Sequence, residues 1–391
     1  MKMKKNFFLS AAAVILAIMA GCSAPEVKQT PPTIGYSADF IADEGAHFEL
    51  PSEFWYLTGK LDSKEGPYYF ASHFHKAGSQ FIHTRNGYNS IRTPDGKYDY
   101  RSFGQGLVRT LAENYLREKI EKFPGDSRYP EILKNLGKDK SIHFYTMNEE
   151  ERALYRGRLF IDFGKNHFER TGETKLEYEL KLDTWVGPLD LKLEALTDPV
   201  VFPAANPIRI GEGNMQGYFF PRVKAAGVLN RDGREVGVSG TIWYNHIFGM
   251  PHHSASGREE IITQRLNNGG AFVIACYYNS YGELKNTNVA YIRPDGTLDY
   301  KANIKIKQEK TWRSDISRNT YPVSWSIEGG EFSGKITPTF ENSEMMLEEG
   351  VGAFWLGPCS FRGRIGRNPW KGVVAGEGFC RVVGTEDKPK P

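Results

Sequence analysis

The chain has 391 residues, a quarter of them charged, with 50 lysines and arginines against 47 aspartates and glutamates. The formal net charge is therefore only +3, and the charged residues are scattered along the sequence. So weak a balance excludes the electrostatic footprint of a nucleic-acid-binding protein. Beyond residue 46 the chain is long enough for two domains.

The first 22 residues have the features of a lipoprotein signal peptide. Three lysines precede an apolar run over residues 7–19, which is too short for a permanent membrane span and is followed closely by Cys22. We predict that Cys22 is lipidated and anchors an exported protein to a membrane, with the outer membrane or the cell surface favoured. A plain secretory signal is the alternative. Residues 23–46 are rich in proline and polar residues and are predicted to form a tether.

The rest of the chain has the pattern of antiparallel β-sheet. Aromatic residues make up 13% of the whole sequence, and short alternating runs are separated by Asp-Gly, Asn-Gly and Gly-Gly turns. Residues 66–76 and 175–185 show the alternation of a half-buried strand, and residues 372–383 are predicted to be the last strand. Residues 91–100 recur in altered form as residues 291–300, which fits either two related halves or the chance recurrence of a common turn.

One segment departs from the β pattern. From residue 105 to about residue 123, apolar side chains recur every four residues, which predicts an amphipathic helix. Residues 130–136 predict a second, shorter helix. This helical insertion packs on the outside of the sheet, covers the mouth of a cavity or faces the membrane, and the sequence leaves these alternatives open.

Several short motifs follow one another in the order typical of a known family. Besides Glu53-Phe-Trp-Tyr-Leu-Thr-Gly59 and Gly240-Thr-Ile-Trp-Tyr-Asn-His-Ile-Phe-Gly249, they lie at residues 217–222, 321–325, 351–357 and 376–379. Together they resemble the carotenoid 1,2-hydratase (hydroxyneurosporene synthase) and AttH lipocalin-like family. The resemblance implies an all-β fold of two consecutive lipocalin-like antiparallel barrels, over residues 47–252 and 257–385, with the helical insertion in the first.

The same resemblance implies a hydrophobic cavity for an isoprenoid-like molecule and, in the hydratase branch, addition of water to a terminal alkene. It implies no cofactor. Such a hydration requires an acid that protonates the alkene, aromatic faces around the resulting cation and exclusion of bulk water. The predicted ligand-binding residues are those of the motifs: Trp55, Tyr56, Tyr218, Arg222, Trp243, Trp325 and Trp355. For each of them, ordinary packing in the core is the alternative.

The predicted catalytic residues are Glu53, His246 and Asn245. Asn245 stands where the family usually has an aspartate, and an amide cannot protonate an alkene. Glu53 becomes the candidate proton donor if burial against Trp55 raises its pKa, and alternatively it pairs with Arg222. On a regular strand, Asn245 and His246 point to opposite faces, so both act in one pocket only if a bulge or a strand end intervenes.

The histidines and cysteines do not predict a metal site. The histidines of residues 73–83 lie in a stretch without acidic residues or cysteines, and a bare His-x-His pair is weak evidence for a metal. Of the three cysteines that follow the lipidated one, Cys359 and Cys380 are favoured as a disulfide. Cys276 is then left as a small buried thiol.

Two main classes of function fit these observations. The first is a hydro-lyase that resembles the hydratases and uses Glu53 and His246 as its acid–base groups. The second is a carrier or sensor that binds a hydrophobic ligand without turning it over, and a purely structural surface lipoprotein is a third possibility. We predict a lipid-anchored, lipocalin-like protein that binds a hydrophobic, isoprenoid-like ligand, and because Asn245 replaces the acid, the sequence leaves open whether it is an enzyme.

Overall fold

A computed structural model describes residues 44–47, 50–78, 83–105, 158–202, 208–210, 213–250, 258–279, 282–300, 304–329, 331–346, 353–366 and 372–383, with isolated positions between 117 and 133. Apart from these isolated positions, the described ranges form two antiparallel sheets, one of 12 strands and one of 10. The prediction of an all-β protein is confirmed for this part of the chain.

The first sheet contains the strands from Ser52 to Met250. They are β1 Ser52–Asp62, β2 Tyr68–Gly78, β3 His83–Arg92, β4 Tyr98–Gln105, β5 Phe160–Asp162, β6 His167–Arg170, β7 Glu177–Asp183, β8 Pro188–Ala195, β9 Val200–Phe202, β10 Ile208–Ile210, β11 Gly213–Arg231 and β12 Arg234–Met250. Their order in the sheet is β4-β3-β2-β1-β12-β11-β8-β7-β6-β5, and β9 and β10 both pair with β11. The first strand is therefore paired with the last.

The second sheet contains the strands from Glu259 to Val383. They are β13 Glu259–Leu266, β14 Ala271–Tyr278, β15 Leu284–Ile292, β16 Leu298–Asp299, β17 Lys305–Arg313, β18 Thr320–Gly329, β19 Phe332–Pro338, β20 Glu344–Met346, β21 Ala353–Ile365 and β22 Val374–Val383. Their order is β16-β15-β14-β13-β22-β21-β19-β18-β17, with β20 paired to β21. Again the first and last long strands lie side by side.

Side-chain alternation explains why these segments form strands. In β8, the leucines at positions 189, 191 and 193 are buried while the charged residues between them are exposed. In β7, Tyr178, Leu180 and Leu182 are buried in the same alternating way, as predicted for residues 175–185. A period of two places one apolar face toward a core and one polar face toward water.

Each sheet is curled, so that strands far apart in the order face each other across an apolar interior. Phe168 on β6 lies with its ring centroid 5.2 Å from that of Tyr244 on β12, although three strands separate β6 from β12 in the sheet. In the second sheet, Tyr291 and Phe332 approach to 5.1 Å across the interior. Among the described residues no ladder joins the end strands of either sheet, so the predicted barrels are seen here as two curled half-barrels.

The two half-barrels pack against each other through their outer faces. One part of this contact joins Phe219 and Trp243 of the first sheet to Val273 and Tyr277 of the second. Another part joins a set of buried aromatic and aliphatic residues from both sheets: Tyr56, Ala71, Tyr88, Met345, Phe354, Leu356 and Phe379. We call the whole contact between the two half-barrels the junction. Successive side chains of β1 and β12 therefore point alternately into the first half-barrel and into the junction.

Several predictions fall outside the described residues. Strand β4 ends at Gln105, where the helix was expected to begin, and the rest of the predicted helical insertion lies almost entirely outside the described part of the chain. The signal peptide and most of the tether also lie outside it, and the domain bounds stay predictions. Within the described residues, no helix is long and apolar enough to cross a membrane.

The predicted disulfide is wrong, because Cys359 and Cys380 are both buried free thiols. They lie on the neighbouring strands β21 and β22, but Cys359 is opposite Gly378 and Cys380 is opposite Gly357. The two cysteines are therefore diagonal neighbours, a position whose backbone separation exceeds what a disulfide ordinarily spans.

Candidate functional site

A buried carboxylate lies inside the first half-barrel at the start of β1. Glu53 is fully buried, and its Oε1 lies 2.7 Å from Nε2 of His246 and 2.8 Å from Nδ1 of His47. Its Oε2 accepts a 2.9 Å hydrogen bond from the backbone N–H of His47 and lies 3.6 Å from the ammonium of Lys76. With Tyr218, whose hydroxyl is 2.9 Å from Nδ1 of His246, these residues form what we call the interior cluster.

The strand register explains how the interior cluster forms. Trp55 on β1 lies opposite His246 on β12, and His246 lies opposite Tyr218 on β11. Glu53, two residues before Trp55, points to the same face and lies opposite Lys76 on β2. Because β1 pairs with β12, two residues that are 193 positions apart in sequence come into direct contact.

The electrostatics of the interior cluster fix its protonation states. Burial raises the pKa of Glu53, but hydrogen bonds and charge from His246 and His47 outweigh burial and hold the pKa well below its usual range. Burial lowers the pKa of His246 to about 4, against the opposing effect of Glu53. At neutral pH, Glu53 is therefore an anion and His246 is neutral. It follows that Nε2–H of His246 donates to Glu53 while Nδ1 accepts from the hydroxyl of Tyr218.

The surroundings of Glu53 and of Arg222 contradict two expectations for Glu53. A carboxyl with a lowered pKa is not a proton donor, so burial against Trp55 does not make Glu53 the acid. Nor does Glu53 pair with Arg222, whose guanidinium instead donates to the carbonyls of Leu266 and Gly270 in the second sheet, at 3.2 Å each. Arg222 thus ties the two sheets together.

The interior cluster also has the composition of a metal site. The ligand atoms of His47, Glu53 and His246 lie within 4.8 Å of one another. The ammonium of Lys76 is already beside the carboxylate, however, and it also donates to the carbonyls of His47 and Leu50. A cation would have to compete with this fixed positive charge and break both histidine hydrogen bonds, so the arrangement is best suited to an ion-pair network.

A second group of polar residues lies on the opposite face of the same strands, in the junction. Asn245, Tyr56, His73 and Tyr88 stand side by side on β12, β1, β2 and β3, each directly opposite the next. We call these four residues the junction row. The rings of Tyr56 and His73 are stacked at 4.1 Å with an angle of 8°, and those of His73 and Tyr88 are 4.8 Å apart.

The second sheet covers the junction row with an aromatic ring and a cation. Phe354 lies 5.0 Å from the ring of Tyr88, measured between centroids. The guanidinium carbon of Arg381 is 5.5 Å from the centroid of Tyr56 and 5.6 Å from that of Phe354. Arg381 is also ion-paired with Glu259, so the charge of the guanidinium is balanced.

The junction row differs from the interior cluster because part of its hydrogen-bonding capacity is unused. Both ring nitrogens of His73 and the hydroxyl of Tyr88 are buried without a hydrogen-bond partner among the described residues, and the two side chains are 7% and 1% exposed. Each unpaired buried group costs about 1–3 kcal/mol. Asn245, by contrast, uses its Oδ1 to accept a 2.6 Å hydrogen bond from Nε1 of Trp243.

Burial also sets the charge of the junction row. It lowers the pKa of His73 well below its usual value, with the positive charges of His75 and Arg381 adding to the effect. It raises the pKa of Tyr88 well above its usual value. His73 is therefore a neutral ring with one donor and one acceptor, and Tyr88 keeps its proton.

The structure divides the predicted site residues among three places. Glu53, Trp55, Tyr218 and His246 lie in the first half-barrel. Asn245, Tyr56, Trp243 and Arg222 face the junction. Trp325 and Trp355 are buried inside the second half-barrel, where their indole N–H groups donate to Glu260 and to the carbonyl of Glu341 at 2.9 and 2.6 Å.

This division separates groups that were expected to act together. Asn245 lies across the sheet from Glu53 and His246, so the three predicted catalytic residues do not share a pocket. Likewise, Trp55 and Trp243 face opposite sides and cannot surround one cation. The register shift in the pairing of β11 with β12 lies between Phe220 and Val223, away from the motif, so no bulge brings the two faces together.

Sequence reasoning missed the most informative residues of the junction row. The sequence presents His73 only as a candidate metal ligand and gives no reason to single out Tyr88. The alternation of β2, with His73 and His75 on the face opposite Phe74, was visible, but nothing in the sequence showed that this face meets a second sheet. A second missed feature is Glu260, a buried carboxylate held by Arg258, Tyr278, Gln308 and Trp325.

The chain is similar to known proteins both in sequence pattern and in fold. A family model described as AttH-like matches residues 143–385. The fold is similar to the crystal structure of a protein described as an AttH from Nitrosomonas europaea, with a TM-score of 0.67 and 19% identity over 90% of this chain and 98% of that one. It is also similar to kievitone hydratase from Nectria haematococca, with a TM-score of 0.62 and 12% identity over 88% and 92% of the two chains. At these identities the structural likeness shows the fold alone, and no curated protein matches the chain in sequence.

Proposed function

Because the chain belongs to the AttH-like family, we propose that it binds a hydrophobic, isoprenoid-like molecule between its two half-barrels, at the junction row. The observation that carries this proposal is the buried stack of Tyr56, His73 and Tyr88, in which polar atoms without partners lie among aromatic rings. Binding sites for small apolar molecules combine such aromatic walls with a few placed polar groups.

The chemistry of the junction row supports binding without alkene hydration. Protonation of an isolated alkene needs a strong, positioned acid, and the resembling position holds the amide of Asn245. His73 is neutral and Glu259 is committed to Arg381, so neither supplies that acid. We infer that the interior cluster has a structural role and holds β1 and residue 47 in place, because its polar groups are hydrogen-bonded to one another. Hydration remains the second candidate function, favoured by the likeness of the fold to kievitone hydratase.

We further propose that the protein is an exported lipoprotein, anchored to a membrane through lipidated Cys22. A basic start, a short apolar run and a small-residue approach to the cysteine support this proposal. Attachment to a membrane would place the binding site where apolar molecules are concentrated.

Native mass spectrometry of the full-length gene product, purified from its own cells in a mild detergent, tests both proposals. We expect a chain that begins at an acylated Cys22 and carries an apolar molecule that solvent extraction releases. A chain that retains its first 21 residues would contradict the lipid anchor. A protein that carries no such molecule and does not bind an apolar fluorescent probe would contradict ligand binding and favour a structural role.

Substituting Asn245 by aspartate is expected to create hydratase activity that the native protein lacks. A carboxyl in this half-buried position, beside the aromatic rings of the junction row, would supply the acid that the amide lacks, and a positioned general acid contributes about 10²–10⁴-fold to rate. The assay is the gain of one water by farnesol, whose terminal alkene is trisubstituted. Asn245→Leu is the matched control, since it fills similar space without an acid. Equal turnover by the native protein and Asn245→Asp would show that the native protein is itself a hydratase.

A further inference from the structure

We propose that the ligand of the junction row carries a neutral hydroxyl group, which His73 and Tyr88 bind. This inference rests on the proposed function and names the chemical class of the molecule. The two side chains come from the neighbouring strands β2 and β3, where His73 lies directly opposite Tyr88. Their unpaired atoms therefore belong to one small region rather than to two separate sites.

The hydrogen-bonding capacity of the region matches a hydroxyl. Neutral His73 offers one N–H donor and one nitrogen acceptor, and the Tyr88 hydroxyl donates one bond and accepts others. An alcohol or phenol can donate to one of these groups and accept from the other. A hydrocarbon would leave every one of these atoms unpaired, at a cost for each group.

The charge of the region argues against a carboxylate. The guanidinium of Arg381 lies over the rings of Tyr56 and Phe354 in the junction, and it is already paired with Glu259. A bound anion would therefore add an unbalanced buried charge. A carboxylate also has no donor for the acceptor nitrogen of His73, unless the histidine takes up a proton that burial disfavours.

The aromatic surroundings define the rest of the ligand. The rings of Tyr56, Tyr88 and Phe354 form apolar faces next to the polar atoms. A molecule with one hydroxyl and an extended apolar body satisfies both parts, as an isoprenoid alcohol does. His73 and Tyr88 are then the residues that determine specificity, while the aromatic rings provide affinity for any apolar chain.

The experiment compares three probes of equal chain length on the full-length protein in detergent: farnesol, farnesoic acid and farnesene. Displacement of an apolar fluorescent dye reports the relative affinities. We expect farnesol to bind about tenfold more tightly than either of the others, as two matched hydrogen bonds permit. Tyr88→Phe and His73→Phe should each remove most of this preference and leave the affinity for farnesene within about twofold.

A stability measurement separates ligand binding from a structural role. Tyr88→Phe removes an unpaired hydroxyl and should leave the Tm of the empty protein unchanged or higher. Tyr178→Phe is the matched control in the first half-barrel, because its hydroxyl donates a 2.6 Å hydrogen bond to Glu44. This control should lower the Tm and leave the preference for farnesol intact.

Each contrary result has a definite meaning. Equal affinities for farnesol and farnesene, unchanged in both variants, would overturn the hydroxyl inference while leaving hydrophobic binding in place, with water as the partner of His73 and Tyr88. Preference for farnesoic acid would overturn it in favour of an anion bound through Arg381. Failure of all three probes to displace the dye, together with an empty native protein, would overturn the proposed function itself.

Discussion

Replacing Glu53 by glutamine is expected to lower the free energy of unfolding by about 3–5 kcal/mol, as for other buried ion pairs that lose one partner. The carboxylate accepts from two histidine rings and one backbone amide, and it balances the buried ammonium of Lys76. An uncharged amide removes the negative charge that lies 3.6 Å from the buried ammonium of Lys76. The NH₂ group of the introduced glutamine would also face the N–H groups that now donate to the carboxylate, and these N–H groups would lose their acceptor.

Urea denaturation of the native and variant proteins measures this loss. Glu235→Gln is the matched control, because Glu235 is exposed at the start of β12 and the same chemical change there should alter stability by less than about 0.5 kcal/mol. A loss below about 1 kcal/mol for Glu53→Gln would mean that the interior cluster does not anchor the first strand. The cluster would then have to be reconsidered as a reactive site.

Acidification from pH 6.5 to pH 4 is expected to destabilise the protein by a few kcal/mol. The pKa of His246 is lowered to about 4 by burial, while in the unfolded chain it is about 6.5. Between these values the unfolded state binds a proton that the folded state does not, so stability falls as the pH falls. Each such histidine contributes a slope of about 1.4 kcal/mol per pH unit. His73, whose pKa is also lowered by burial, adds a second slope of the same sign.

Chemical denaturation at a series of pH values measures the slope. The slope is proportional to the difference in bound protons between the unfolded and the folded state. His246→Gln and His73→Phe should each lower this difference by one proton, and the double variant should lower it by two. An unchanged slope in His246→Gln would show that His246 is protonated in the folded protein at neutral pH. Glu53 contributes in the same direction only at lower pH, since its lowered pKa means that its stabilisation is lost as the pH falls through values below about 4.

Strand periodicity alone was sufficient to predict the local structure of the motif at residues 240–249. Because side chains alternate along a strand, the sequence predicted that Asn245 and His246 lie on opposite faces. The structure confirms this alternation in β12. The same rule predicted the buried face of β7. These results depend only on neighbouring residues, which is why they could be obtained without knowing what the strand packs against.

The tertiary structure decided which residues each face of a strand packs against. Pairing of β1 with β12 brings Glu53 to His246, and this contact reverses the expected direction of the Glu53 pKa shift. Packing of two curled sheets buries His73 and Tyr88 among aromatic rings and leaves their polar atoms unpaired. The sequence by itself determined the β-strands, their alternation and the family. Only the tertiary structure determined which face is interior and which is junction, because partners far apart in the chain supply the burial and charge.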